Sequence, residues 1–211
     1  MLQGPQRNAC NELETRLAPL TELAELRISR TQLETVPASV ARFAPSLRLV
    51  ALDSNALRDA SALQRLSLLT SLSLAWNELE TVDFVVALVH LKTLSLHHNR
   101  LARLPEGIAA LTVLEHLDVA SNCLTLLPDC RPLPLRLWIL ERNPGLPRKW
   151  QLSLWTRGET RQLAEESHNV CNTQRAIWCV LAGLREALPP ELLRLICEVL
   201  WRQRYVFFAK G

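Results

Sequence analysis

Two near copies of one phrase stand close together in the chain, at residues 91–105 and 114–128. In both copies apolar residues and one asparagine recur at the same offsets, while the residues between them differ. In the first copy the fixed positions are Leu91, Leu94, Leu96, Asn99, Leu101, Leu104 and Pro105. A unit that recurs at a fixed period buries its apolar face only against copies of itself. The sequence therefore predicts a fold of stacked repeats.

Each fixed position in the phrase has a physical role. Alternation along a short strand directs Leu94 and Leu96 into a core and sends the residues beside them to solvent. The amide of Asn99 can hydrogen-bond backbone groups where the strand ends, so a column of such residues would join successive coils into a ladder. Pro105 fixes an extended local backbone. The phrase thus predicts one strand, one turn and one return segment for each coil.

Six such phrases occur, and they begin at residues 23, 47, 69, 91, 114 and 135. Asparagine holds its fixed position in the last five of them, and Thr31 holds that position in the first. The Thr31 hydroxyl also donates and accepts a hydrogen bond, so we expect the first turn to form as well. The sixth phrase places Trp138 at a core position and ends at Pro147. The regular period predicts one continuous solenoid.

Residues 23–147 resemble the intracellular leucine-rich-repeat proteins of the LxxLxLxxNxLxxLP class. The resemblance implies an α/β solenoid, a horseshoe with a concave parallel β-sheet of about six coils and with loops or short helical turns on its convex side. We expect residues 1–22 to form an N-terminal cap and residues 148–211 an α-helical C-terminal region that caps the last coil. Members of this class mostly bind other proteins along the concave face.

The variable strand positions predict which residues face a partner. We expect Trp76 to be the anchor of such an interface, because an aromatic side chain among small residues often dominates binding energy. The alternative is that Trp76 only covers the end of a strand. Strands ~4.8 Å apart make six coils about 25 Å wide, enough for an interface of ordinary size. The predicted partner-binding residues are Arg27, Asp53, Trp76, His97, His98, His116, Asp118, Glu141 and Arg142.

The histidines of this face could suggest metal binding or acid–base catalysis, but their spacing argues against both. His97 and His116 fall four positions apart in register on neighbouring strands, which is about 13 Å. One ion would need ligand atoms ~2 Å from the metal. The chain also has no glycine-rich phosphate loop, HExxH motif or nucleophile elbow. We therefore predict a non-enzymatic protein with no cofactor, no metal and no small-molecule substrate.

Composition restricts the class of partner and the compartment. A net charge of +3 gives no reason to expect nucleic acid as the partner. The six cysteines include no CxxC pair, which favours a reducing compartment with free thiols. The first residues lack the apolar core of a signal peptide, and no apolar run is long enough to span a bilayer. We expect a cytoplasmic protein, with the nucleus as the alternative.

The tail leaves a second function open. Residues 188–196 resemble the opening of an F-box, and residues 193–197 resemble the elongin-binding start of a SOCS box. Either resemblance implies a substrate-recognition adaptor that contacts a cullin-type ubiquitin ligase through Leu192, Leu193 and Cys197. Both matches are short, and we favour instead a helical cap over the open end of the solenoid. Residues 201–210 mix aromatic and cationic residues without a second anchoring signal, so we expect no stable membrane contact.

Overall fold

The computed structural model describes residues 13–20, 22–150, 153–154 and 159–165. Six strands, one from each predicted repeat, pair in parallel and in sequence order into one sheet. A seventh short strand, β7, pairs antiparallel with β6. The strands are β1 (Glu25–Arg27), β2 (Leu49–Ala51), β3 (Ser71–Ser73), β4 (Thr93–Ser95), β5 (His116–Asp118), β6 (Leu137–Ile139) and β7 (Ser153–Leu154). The six parallel strands confirm the predicted solenoid.

The register of the sheet places equivalent residues of successive repeats directly opposite one another. Leu72 pairs with Leu94 and Leu94 with Leu117, and all three side chains are fully buried. The residues on either side of each central position are half-buried or exposed, as alternation along a strand requires. The central residues that form this buried row are Leu26, Val50, Leu72, Leu94, Leu117 and Trp138.

The return segments of the first four coils each form a short 3₁₀ helix. Pro105, with φ −62° and ψ 139°, has the predicted extended backbone directly before the fourth of them. The segment that joins β5 to β6 is described throughout and forms no such helix. Pro132 and Pro134 lie within it and carry no backbone N–H to donate. The 3₁₀ helices are Ala38–Phe43, Ser61–Arg65, Asp83–Ala87 and Glu106–Ala110, and a fifth, Arg148–Trp150, follows β6.

Asparagine side chains join the coils as the sequence predicts. The buried amide of Asn99 accepts from Leu79 N–H at 3.0 Å and donates to the carbonyl oxygens of Leu74 at 2.9 Å and Leu96 at 3.0 Å. One side chain therefore serves its own coil and the preceding one. Thr31 does not take this role; its N–H and hydroxyl both donate to Asn55 Oδ1 instead. The ladder consists of Asn55, Asn77, Asn99, Asn122 and Asn143.

At the N-terminal side of the array, residues 13–17 are helical and Leu17 is buried in the core. Arg42 donates a hydrogen bond to the carbonyl oxygen of Leu17. This contact ties the helix to the 3₁₀ helix of the first coil. The remaining residues of the predicted N-terminal cap, 1–12 and 21, lie outside the described residues.

The C-terminal side differs in part from the expected helical cap. Residues 159–165 are helical, bury Leu163 and Ala164, and attach through Thr160 Oγ1, which donates to the carbonyl oxygen of Leu135 at 2.8 Å. The edge of β6, however, is paired with the strand β7, because unpaired backbone groups at a sheet edge are satisfied best by another strand. The predicted helices at residues 177–200 lie outside the described residues. None of the described helices is long and apolar enough to cross a bilayer.

Candidate functional site: the concave face and its aromatic cluster

Pairing of the strands arranges the concave side chains in rows, with one residue from each coil in each row. One row runs through the last strand position, from Arg27 across Ala51, Ser73 and Ser95 to Asp118. Small residues fill its middle, and charged residues lie near its ends. The row at the strand starts pairs Thr93 with His116. The observed register therefore places His97 four positions from His116, which is the separation that argued against a shared metal ion.

Another row lies just after each strand, directly before the residue that turns the chain. Its members share a left-handed backbone conformation, with φ between 53° and 57°. The N–H groups of its members before the last coil continue the pairing between coils; Trp76 N–H, for example, donates to the carbonyl oxygen of His97 at 2.9 Å. We call this set the left-handed row. It consists of Arg30, Ser54, Trp76, His98, Ser121 and Arg142.

Trp76 and His98 are adjacent in the left-handed row, and their rings stack. Their centroids are 3.5 Å apart and their planes differ by 10°. The His97 ring approaches both rings edge-on, at 6.3 Å from Trp76 and 5.7 Å from His98. Trp76 still has 53% of its surface exposed. The indole is therefore held in one orientation while most of it remains accessible.

His97 connects this aromatic cluster to the neighbouring coil. Its Nδ1 lies 2.9 Å from Ser95 Oγ and 3.2 Å from Asp118 Oδ2. The other carboxylate oxygen of Asp118 accepts from Ala120 N–H at 3.0 Å. These contacts fix both side chains, and they leave Asp118 half-buried beneath the histidine.

The pKa of His98 lies below its ordinary value of 6.5. Burial is the largest cause, because it disfavours the charged imidazolium. The nearby positive charges of His97 and Arg142 lower the pKa further, while the Asp118 carboxylate raises it. His98 is therefore neutral at pH 7 and stacks on the indole without a charge.

Asp53 lies on the other side of Trp76 from His98, in the preceding coil. Its Oδ1 accepts from the hydroxyl of Ser73 and from Ala75 N–H at 2.9 Å. The side chain borders a depression of about 370 Å³ over the first three strands, whose floor includes Ala51 and Ser71. The depression exists because the side chains at these strand positions are small.

The nine predicted partner-binding residues do not form one cluster. The structure brings together Trp76, His97, His98 and Asp118. Arg27 and Asp53 border the depression, and Arg27 also pairs with Glu25 at 3.1 Å. His116 is exposed at the start of β5, and Glu141 and Arg142 are exposed after β6. Leu192, Leu193 and Cys197, the residues of the ubiquitin-ligase alternative, lie outside the described residues.

The sequence pattern did not predict the hydrogen bonds that Asp53 and Asp118 form within the chain. Asp53 and Ala75 are 22 residues apart, close to one repeat, so the periodicity carried a signal for that bond.

The described residues include no group of three histidine, cysteine or acidic side chains that could hold a metal ion. Within the described part of the chain, Cys123 is an exposed free thiol and Cys130 is buried.

Comparison with known proteins places the repeats in a wider context. A sequence profile described as Leucine Rich Repeat matches residues 90–111, which contain β4 and the 3₁₀ helix after it. The chain is also 31% identical over 116 residues to a Dictyostelium discoideum protein named "Probable inactive serine/threonine-protein kinase roco10". That match covers 52% of this chain and 4% of the other protein.

Solved structures show the same architecture. An internalin (inlF) of Listeria monocytogenes matches with 25% identity and a TM-score of 0.56, over 61% of this chain and 37% of the other. A chain of the LRIM1/APL1C complex matches with 26% identity and a TM-score of 0.55, over 60% of this chain and 25% of the other. This chain thus spans less than half the length of each of these three proteins.

Proposed function

Because this chain is a leucine-rich-repeat protein, we propose that it binds a protein partner on its concave face and performs no chemistry of its own. Proteins with this fold generally mediate protein–protein contacts, and one of the similar structures is itself a complex. The relative from Dictyostelium carries the word inactive in its name. In the described part of the chain, His97 contacts Asp118, while Asp53 and His116 lie apart from that pair.

The observation that carries this proposal is the orientation of Trp76. An exposed indole normally samples several rotamers, and ordering it on binding costs free energy. Here the stack with His98 and the edge contact with His97 already hold the ring in place. Tryptophan is among the residues that most often dominate an interface. A fixed, half-exposed indole beside small residues is therefore a suitable anchor.

The exposed free thiol of Cys123 supports a cytoplasmic location as part of this proposal. Exposed free cysteines are rare in oxidising compartments, where they pair or react. Fractionation of the native cells, with the Cys123 thiol titrated in the intact protein, tests the location.

The binding proposal is tested by affinity purification and mass spectrometry with the full chain and two variants. Trp76→Ser removes the anchor, and serine already occupies the same backbone conformation at Ser54 and Ser121. Val113→Ser is the control, because Val113 is also apolar and exposed but lies in the turn before β5. We expect one direct partner to be lost with Trp76→Ser and retained with Val113→Ser.

Equal recovery of every partner with both variants would contradict the proposal. Recovery of elongin, Skp-like or cullin subunits by all three proteins would indicate the ubiquitin-ligase adaptor in place of a simple binding module. Circular dichroism of each variant confirms that any loss of binding does not come from unfolding.

A further inference from the structure

The two faces of the Trp76 indole are not equivalent. His98 covers one face at 3.5 Å, because it is the next member of the left-handed row. The member on the other side is Ser54, whose small side chain is half-buried. Since the stacked rings are nearly parallel, the second face of the indole points along the row toward Ser54. We call the space between this open face and the coil of Ser54 the slot.

A carboxylate lies beside this slot. Asp53 directly precedes Ser54, and its Oδ1 accepts from the N–H of Ala75, the residue before Trp76. Both hydrogen bonds of its carboxylate within the described chain use Oδ1, which leaves Oδ2 able to accept more. Asp53 forms no ion pair with any described residue, and the nearby Arg27 is paired with Glu25. The negative charge of Asp53 is therefore not neutralised by the described residues.

A planar cation can contact both the open face of the Trp76 indole and the carboxylate of Asp53. A guanidinium can stack on an aromatic face and donate two N–H groups to a carboxylate in the same plane, whereas an ammonium is a point charge without a stacking face. An acidic side chain would be repelled by Asp53, and an apolar one would leave the Asp53 carboxylate unpaired when water is excluded. Charge and shape thus select one side chain.

We infer that the concave face receives an arginine side chain of the protein partner, stacked on the open face of Trp76 over Ser54 and paired with Asp53 Oδ2. This inference rests on the proposed function, because it assigns the chemistry of the partner at the same face. The arginine extends the stack of Trp76 and His98 by one member of the row, and its partner backbone lies along the depression over β1 to β3.

Selection from a library of random dodecapeptides, displayed on phage and panned against the full chain, tests this inference. The same selection is run on Trp76→Ser, Asp53→Asn and Ser54→His. Asp53→Asn keeps the Oδ1 acceptor and removes the charge. Ser54→His fills the slot with a residue that His98 shows to be compatible with this backbone conformation. Ser121→His is the matched control, since it makes the same change on the far side of His98.

We expect Trp76-dependent peptides that share one fixed arginine. Synthetic peptides from the selection should bind about tenfold more weakly to Asp53→Asn and to Ser54→His, and with unchanged affinity to Ser121→His. Replacing the peptide arginine by lysine should cost a similar factor. In nuclear magnetic resonance spectra of the native protein, the indole N–H signal that is absent in Trp76→Ser should shift on titration.

The possible failures are distinguishable. Peptides that depend on Trp76 but carry no fixed arginine, or that bind equally well to Asp53→Asn, would overturn this inference and leave the proposed function standing. Peptides that accept lysine without loss would overturn the guanidinium assignment. A selection that yields no Trp76-dependent peptide would count against the proposed function and this inference together.

Discussion

Single side chains carry the links between coils in this protein. The amide of Asn99 satisfies one buried N–H and two buried carbonyl groups that the strand leaves unpaired when it ends. Only an amide has both a donor and an acceptor at the required reach. Thr31 does not bridge two coils, because no described coil precedes the first repeat. No carbonyl group of an earlier described coil therefore needs a donor at this position. Asparagine thus occupies this position in each coil that follows another described coil, and threonine occupies it in the first coil.

We predict that Asn99→Ala lowers the free energy of unfolding by about 3 kcal/mol, because it leaves buried backbone groups without partners. Asn55→Ala is the control. Asn55 is half-buried, so water can replace part of its amide, and the expected loss is about 1 kcal/mol. Urea denaturation of both variants measures the difference. Equal losses would show that burial does not determine the contribution of the ladder.

At the candidate site, the sequence predicts which side chains face outward but not how they contact one another. Trp76 and His98 are 22 residues apart, and both directly precede a ladder asparagine, so adjacency in one row could be predicted. Their stacking depends on rotamers that the pattern does not contain. The bonds of Asp118 to His97 and Ala120 depend on side-chain reach in the same way. The assignment of the nine residues to a partner stays a prediction.

The lowered pKa of His98 predicts that the stability of the folded chain depends on pH. Because the folded-state pKa of His98 is lowered from 6.5, the unfolded chain binds a proton in a pH range where the folded chain does not. The contribution of His98 to stability is therefore present above about pH 6.5 and is lost as pH falls through the lowered folded-state pKa. Titration of the His98 ring signal by nuclear magnetic resonance should give a midpoint below 6.5.

The matched experiment repeats this titration in Trp76→Ser. Removal of the stacked indole exposes the imidazole to water, so the midpoint should rise toward the ordinary value. A His98 midpoint at or above 6.5 in the native protein would contradict the described environment.

At the level of elements, the repeat pattern predicts every parallel strand, because the central residue of each strand must be buried and its neighbours must not. The first and fourth 3₁₀ helices each follow a proline with an extended backbone, Pro37 and Pro105, whereas the residues before the second and third are not extended. β7 could not be predicted, since a two-residue strand has no periodicity of its own and forms only because the β6 edge is open. The segment between β5 and β6 forms no 3₁₀ helix because Pro132 and Pro134 lack a backbone N–H. The spacing of the repeats alone does not predict this difference.

The turn at the end of the sixth repeat depends on close packing at Gly145. A Cβ atom there would lie 2.6 Å from the Leu124 carbonyl oxygen and 2.8 Å from Thr125 Cγ2. We predict that Gly145→Ala lowers the free energy of unfolding by about 2 kcal/mol, because backbone must shift to relieve the overlap. Thermal or urea denaturation measures this change.

Gly107→Ala is the matched control for that substitution. Its Cβ atom would meet only the Val86 side chain, at 3.2 Å, and alanine favours the helical conformation of Glu106–Ala110. We expect a change within about 0.5 kcal/mol. A loss at position 107 as large as the loss at 145 would show that the turn is not the tighter of the two sites.

Across the whole molecule, stability is shared between neighbouring coils, so the ends determine whether the array stays soluble. At the C-terminal end the described chain pairs β6 with β7 and packs residues 159–165 below it. Trp138 occupies the middle of β6, fully buried, and in the described chain its Nε1–H finds no acceptor. The indole fills a wide space there at the cost of one unpaired donor.

We predict that a chain ending at Pro147 self-associates. The truncation removes β7 and bares the backbone of β6 together with part of the Trp138 surface, and such an edge pairs readily with another copy. Sedimentation velocity should show concentration-dependent species that the full chain lacks at equal concentration. A truncated chain that stays monomeric and equally stable would show that these residues do not protect the edge.

The equal register of the coils has a consequence for how this surface can change. Residues 69–90 span one coil, and the phrase that begins at residue 91 presents the same fixed positions to its predecessor. Loss of that stretch would therefore join Asn55 to the coil of Asn99 without a change of backbone geometry, while it deletes Trp76 and brings His98 to the place beside Ser54. Gain or loss of a single coil can thus change the side chains of the concave face in one genetic step while the backbone fold is kept.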